Sequence, residues 1–250
     1  MRSIFALALL MIEFSSSALA AEIKVLSVGT VSSVLRDLIP QFERSSGDKV
    51  QVSYGGPAAV LDRLSKGEPA DLVIVAGSGW GQAARTGRLV LQSKTILPAT
   101  PFAVGMTPGT KPSEPMSVSY FRRIVKDAKS IALVDRSPAT ALLTHNLKKL
   151  DVAASELETK AKAYPNGSAI AEALAHAKVE MGITTLSELI SDPQVAVVGL
   201  VPSELLPIKA TSMAAVDTES SSAKEAAALI QFLVSPAAIA VFKAKGFEAD

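Results

Sequence analysis

Residues 23–42 read IKVLSVGTVSSVLRDLIPQF, and this run decides the fold class. Ile23 to Val28 is a short, mostly β-branched and apolar stretch, the pattern of a buried strand. Gly29-Thr30 is a turn. From there apolar residues fall at 31, 34, 35, 38, 39 and 42, the spacing of one helix face. Ser45-Ser46-Gly47-Asp48 ends that helix. The same unit recurs downstream. Residues 49–54 read as a strand, and Gly55-Gly56 as a turn where backbone can approach a ligand closely. Pro57 suits a first helical position, Val60, Leu61 and Leu64 form a buried stripe, and Gly67 is the natural residue beyond the helix end. Residues 70–76 are apolar apart from Asp71, as in a parallel strand covered on both faces. Ser78 is expected to cap a short helix carrying Trp80. Strands alternating with helices predict an α/β fold.

Further on, residues 95–106 read as extended, with Pro98, Pro101, Pro108, Pro112 and Pro115 around them. Here the chain is expected to pass into a second lobe. Helices are predicted over 118–128, 138–150 and 168–178. Strands are predicted over 130–134, near 162–164, and over 180–184 and 194–199. The chain is expected to return near 203–208 and to end in helices over 222–234 and 236–245. The expected organisation is a first lobe of residues 21–103 and 205–250 and a second lobe of 104–204. Each lobe is a mainly parallel sheet flanked by helices, with hinges near 101–109 and 203–207.

The first residues bear on the compartment. Arg2 gives a positive n-region, residues 4–12 are apolar, and Ala18-Leu19-Ala20 is an A-x-A cleavage pattern. That run is far shorter than the roughly 20 apolar residues a membrane span needs. Residues 1–20 are therefore expected to be a signal peptide cleaved near Ala20, leaving a soluble periplasmic protein. With no Cys, disulfide and thiolate chemistry are excluded, and so is a lipid anchor on Cys. A net charge of +1 with scattered Lys and Arg gives no basic stripe for nucleic acid. At 5% aromatic content a stacking platform for sugars or bases is not expected. His145 and His176 are expected on helix surfaces, no metal-ligand spacing is present, and no cofactor is called for.

The recurring chemical device is a strand, a small-residue turn and a helix start. Thr30 to Ser33, Tyr54 to Ala59, Asp135 to Thr140 and Pro165 to Ala169 each make one. Helix N-termini carry unpaired N–H groups and a partial positive charge, and in open α/β sheets the ligand crevice lies beyond the carboxyl ends of the strands. Charge-assisted hydrogen bonds contribute about 1.5–3 kcal/mol each. Several suffice for micromolar binding, about −8 kcal/mol, after entropic costs. Each turn alone is equally what any helix needs for capping, and Thr184-Thr185 can cap the helix after it. Two such turns in each lobe are what point to a small-anion site.

These residues resemble the periplasmic molybdate-binding proteins and the wider group of type II solute-binding proteins. Gly67-Glu68-Pro69-Ala70-Asp71-Leu72, with Trp80 following, is similar to that family's G-x-P-A-D-[LV] segment. Phe232-Leu233-Val234-Ser235-Pro236-Ala237 with Lys245-Gly246-Phe247 is similar to its ending. The resemblance implies a two-lobed type II periplasmic binding fold, a monomer that delivers a small anion to an ABC importer permease. It also implies ligand contacts at Thr30, Val31, Gly56, Ala58, Ala59, Ser137, Ala139, Thr140, Gly167, Ser168 and Thr185. Three of these depart from the family. Thr30 stands for its usual Ser, the Gly55-Gly56-Pro57-Ala58-Ala59 turn lacks a hydroxyl, and Thr185 stands near its usual ligand-binding Tyr. The lost donors leave an organic carboxylate as open as a molybdate-like oxyanion.

A second reading is an enzyme. Some proteins similar to molybdate binders isomerise a tricarboxylate, as aconitate isomerase does. A proton shift needs a base near the crevice, and the candidates are Tyr54, Asp135 and Arg136. Capping, solvation and packing account for these residues as well, and fold analogy assigns no reaction. A sensor subunit for a signalling protein is a third class, which the residues do not separate from transport.

Overall fold

A computed structural model describes residues 20–149 and 154–248. The expected signal peptide lies outside the described residues except at Ala20, as does Leu150 at the end of one predicted helix.

The first sheet holds β1 (Glu22–Val28), β2 (Lys49–Gly55), β3 (Leu72–Ala76), β4 (Thr95–Ile96) and β10 (Ser212–Val216), in the order β2-β1-β3-β10-β4. The first three strands run parallel, and β10 runs antiparallel to β3 and β4. On this sheet pack α1 (Ser32–Ser46), α2 (Pro57–Ser65), α3 (Trp80–Arg85), α9 (Ala223–Leu233) and α10 (Pro236–Ala244). Gly47, at φ 83°, ends α1 in the left-handed conformation glycine adopts without strain. Pro57 and Pro236 begin α2 and α10, and the Ser235 hydroxyl caps α10 by accepting from the Ala238 N–H. One core joins Leu26, Leu35, Leu72, Ile74, Ile230 and Phe242.

The second sheet holds β5 (Phe102–Met106), β6 (Ile131–Val134), β7 (Ala161–Tyr164), β8 (Met181–Thr185) and β9 (Ala196–Leu200), in the order β7-β6-β8-β5-β9. β7, β6 and β8 are parallel, and β5 is antiparallel to β8 and β9. α4 (Val118–Asp127), α5 (Pro138–Lys149), α6 (Ala154–Lys160), α7 (Gly167–Ala175) and α8 (Leu186–Leu189) flank it. The period of two shows in β6: Ile131 and Leu133 join one core with Phe121 and Leu143, while Ala132 joins another with Ile170 and Leu174. Helices thus cover both faces, so a mostly apolar strand is stable in water.

Each sheet is mixed rather than wholly parallel, as the predicted fold class allows. Two expectations shift. The crossing into the second sheet precedes 104, since β5 starts at Phe102. Leu205 and Leu206 still belong to the second core, so the return comes after them. The linking segments are therefore residues 97–101 and 207–211, not 101–109 and 203–207. They pair with each other: the Thr100 N–H donates to the Ala210 carbonyl at 3.0 Å, and the Ala210 N–H donates back at 2.8 Å. Ser78 caps nothing, because Gly79 precedes α3 and no side chain caps that helix. Among the described residues no single helix is long and apolar enough to cross a membrane.

Candidate functional site

The two sheets present the carboxyl ends of their parallel strands to one cleft. From the first sheet come Gly29 and Thr30 after β1, Gly55, Gly56 and Pro57 after β2, and Gly77 and Ser78 after β3. From the second come Ser137, Pro138 and Ala139 after β6, Asn166 and Gly167 after β7, and Thr184, Thr185 and Glu188 at β8 and α8. The linking segment 208–211, with Phe102 and Met213, lines the remainder. Together they enclose a cavity of about 270 Å³.

Helix starts and polar side chains both face it. α2, α5 and α7 begin at this cleft, where the first N–H groups of a helix lack partners within it, while the 29–31 turn reaches it ahead of α1 and takes the Ser32 N–H on the Gly29 carbonyl. The Asn166 side chain accepts from the Ala169 N–H at 2.9 Å and fixes the start of α7. The lobes touch across the mouth: a Cβ on Gly56 would lie 2.3 Å from the Pro165 carbonyl oxygen. They touch again behind it, where the Ser187 hydroxyl donates to the Thr30 carbonyl at 3.1 Å.

Of the residues predicted from sequence, Thr30, Gly56, Ser137, Ala139, Gly167 and Thr185 line the cavity. Five do not. Val31 is fully buried in the first core, and Ala58 and Ala59 lie on α2 away from the cavity, Ala59 exposed. Thr140 turns its hydroxyl back onto the Val134 carbonyl at 3.1 Å, and Ser168 is half-buried beside the cavity without lining it. Tyr54, Asp135 and Arg136, the candidate bases, also lie outside. Tyr54 is partly exposed on β2, and burial of part of its ring pushes its hydroxyl up to about 12 against the pull of the Arg36 charge. Arg136 donates to Asp135 at 3.1 Å in an exposed pair. His145 is exposed on α5, and His176 at the end of α7.

The group that sequence reasoning missed is Glu188. It is 6% exposed, lines the cavity, and accepts hydrogen bonds from the hydroxyls of Thr184 at 2.8 Å and Thr185 at 2.7 Å. Burial pushes its carboxyl above the ordinary carboxylate range, and bonds from the Thr185 and Thr184 hydroxyls and the Thr185 and Gly167 N–H groups offset this only in part. Its signal was present: Thr185-Leu186-Ser187-Glu188 is a capping-box pattern, in which the acid folds back on the residue starting the helix. Lys209, paired with Glu248, is the other charged side chain lining the cavity. Ser78 and Thr211 also line the cavity without having been expected there, and Asn166 and Thr184 line it from turns that the sequence marked without naming them as contacts.

The model of the family described as bacterial extracellular solute-binding protein matches residues 23–248. The chain is 27% identical over 229 residues to an aconitate isomerase from Pseudomonas sp, covering 90% of this chain and 86% of that one. Among solved structures it resembles the periplasmic molybdate-binding protein of Azotobacter vinelandii, with TM-score 0.77 and 17% identity over 91% of this chain and 99% of that one. It also resembles a sulfate-binding protein of Mycobacterium tuberculosis, with TM-score 0.75 and 16% identity over 91% of this chain and 86% of that one.

Proposed function

The chain belongs to the bacterial extracellular solute-binding proteins, and from that premise we propose that it captures a small organic anion in the periplasm for an ABC importer. The observation that carries the reading is the cavity between the two sheets, ringed by helix starts and holding a single lysine. Helix N-termini hold an anion with fixed N–H donors and no mobile cation. The size favours an organic guest over a tetrahedral oxyanion. A cavity of about 270 Å³ leaves room around a tetrahedral oxyanion, which is one central atom and four oxygens. Phe102, Val134, Ile208 and Met213 add apolar wall that a bare oxyanion does not need. The resemblance to molybdate and sulfate binders supports the anion class and the fold.

In this reading the anion bridges the lobes and favours the form in which Gly56 meets Pro165. The importer recognises that closed form as a monomer. Residues 1–20 are removed on export, which N-terminal sequencing of the secreted protein checks. A thermal-shift screen of molybdate, tungstate, sulfate, phosphate, citrate and cis- and trans-aconitate tests the guest. Organic acids are expected to raise Tm most. A response to molybdate and tungstate alone overturns the organic assignment.

Glu188 favours a second reading, because it gives the cleft an acid–base group where the resemblance to an aconitate isomerase requires one. An ionised Glu188 would take a proton from the methylene carbon of an aconitate, the double bond would shift, and the proton would return to the far carbon. Conversion of cis- to trans-aconitate by the wild type, abolished in E188Q, would establish it. Binding without turnover leaves the transport reading.

A further inference from the structure

A carboxyl group inside an anion site needs an account, and the transport reading gives it none. The Glu188 carboxyl fills the space against the first residue of α7. A Cβ placed on Gly167 would fall 2.1 Å from its Oε2, and one on Gly29, from the opposite lobe, 3.5 Å from its Oε1. It thus takes up part of the anion-binding capacity of its own cleft, and an arriving carboxylate must settle beside it. Two ionised carboxylates in one enclosed cavity repel strongly, and such pairs resolve the conflict by sharing a proton.

We propose that the site takes its guest together with one proton, which Glu188 holds and donates as a hydrogen bond to an oxygen of the bound anion. The proton comes from solvent and no covalent bond to the guest forms. The ligand class narrows accordingly. It is a carboxylic acid anion whose oxygen can accept that hydrogen bond, and the neutralised pair leaves the α-helix starts and Lys209 to meet the remaining charge.

No cation is among the groups that act on the Glu188 carboxyl, and Lys209, the other charged group lining the cavity, is paired with Glu248. α8 packs against α1, the 29–31 turn, α7, β5, β8 and β9. β5, β8, β9 and the 29–31 turn carry no titratable side chain. On α1, Arg36, Asp37 and Arg44 are exposed and Glu43 is half-buried, and on α7 Glu172 is exposed, with His176 exposed at its end. None of these is among the groups that act on the Glu188 carboxyl, which are burial and hydrogen bonds alone. Its elevated proton affinity before any guest arrives goes the same way.

The proposal rests on the transport reading, and its test separates the two. Citrate and trans-aconitate are titrated into the wild type and E188Q by calorimetry, in buffers of different ionisation heat, from about pH 5 to about pH 8. The wild type is expected to take up about one proton per guest, and its affinity to fall by up to about tenfold per pH unit across the window between its free and bound proton affinities. E188Q is expected to take up none and to show a flat profile. Binding with no proton uptake by the wild type, or with equal uptake by E188Q, overturns this proposal and leaves the transport reading standing. Binding of neither acid overturns the organic-anion reading and this proposal with it. The carboxyl carbon resonance of Glu188 in the wild type supplies the arm that needs no variant. It is expected at its protonated position once citrate is bound, and an ionised position there overturns the proposal.

Discussion

At the scale of single residues, the expected contact residues that line the cavity are those whose place is set by a turn. Thr30, Gly56, Ser137, Ala139, Gly167 and Thr185 sit where a strand hands over to a helix, and that handover is visible in the apolar period. Those that do not line it, Val31, Ala58, Ala59, Thr140 and Ser168, sit within a residue or two of those same turns. A helix of 3.6 residues per turn swings each successive side chain about 100°, so one step along the chain separates cavity from core or solvent. Thr30 lines the cavity from the first lobe, and Thr30→Ala is expected to weaken guest binding by about 1 kcal/mol, one lost hydrogen bond, as read by calorimetry. Glu188 yields a stability prediction as well. Its folded proton affinity lies above its unfolded value of 4.5. The stability linked to that proton is therefore fully present below the unfolded value and is lost as pH rises through the folded one. Urea unfolding of the unliganded protein should show wild type losing ground to E188Q as pH rises across that window. An identical pH dependence in both would mean that Glu188 does not titrate there.

Elements were legible where their pattern is local. α1, α2, α4, α9 and α10 show their stripes in sequence, and Pro and Gly punctuate them. β10 escaped notice because Ser212-Met213-Ala214-Ala215 has small or flexible side chains, and what makes it a strand is pairing with distant β3 and β4. α6 escaped because Ala154–Lys160 has no extended apolar stripe. Two turns meet at the cleft mouth, and that contact can be tested. Gly56 has φ −69°, a conformation any residue adopts, so alanine there carries no backbone strain. Its Cβ would nevertheless run into the Pro165 carbonyl. Gly56→Ala is therefore expected to leave Tm of the empty protein within a few degrees of wild type. It should weaken binding of citrate about tenfold or more, by about 1.4 kcal/mol or more, and solution scattering should show an expanded form even with the acid present. Full compaction of the variant on adding citrate would show that the two turns need not meet.

For the whole molecule, the two-lobed α/β plan was readable because strand–helix alternation resumes on the far side of the Pro-rich stretch. The exact crossings were not, since proline density marks where a chain bends but not which sheet captures the next strand. Distant parts of the first lobe are clamped by Arg88 and Asp217, 8% and 1% exposed, with Arg88 Nη2 2.7 Å from Asp217 Oδ2 and Nε 3.0 Å from Oδ1. Removing Asp217 leaves the Arg88 guanidinium only the exposed Glu219 at 3.6 Å and the Glu68 carbonyl at 3.3 Å, so the cost stays below the about 3–5 kcal/mol of a fully stranded charge. Asp217→Ala should accordingly lower the urea midpoint of the first lobe, and Trp80, which packs on that lobe's core, reports it by fluorescence. A shift of less than about 1 kcal/mol would place the pair among those with no net effect.

The position of β10 has one more consequence. It is an interior strand of the first sheet, between β3 and β4, yet it comes from the far end of the chain. While a ribosome is still making the protein, the amino-terminal half has a gap in its sheet that no nearby residue can fill, whereas the other sheet is complete once β9 has emerged. The first lobe is thus completed only after the second, once β10 has emerged to fill its sheet.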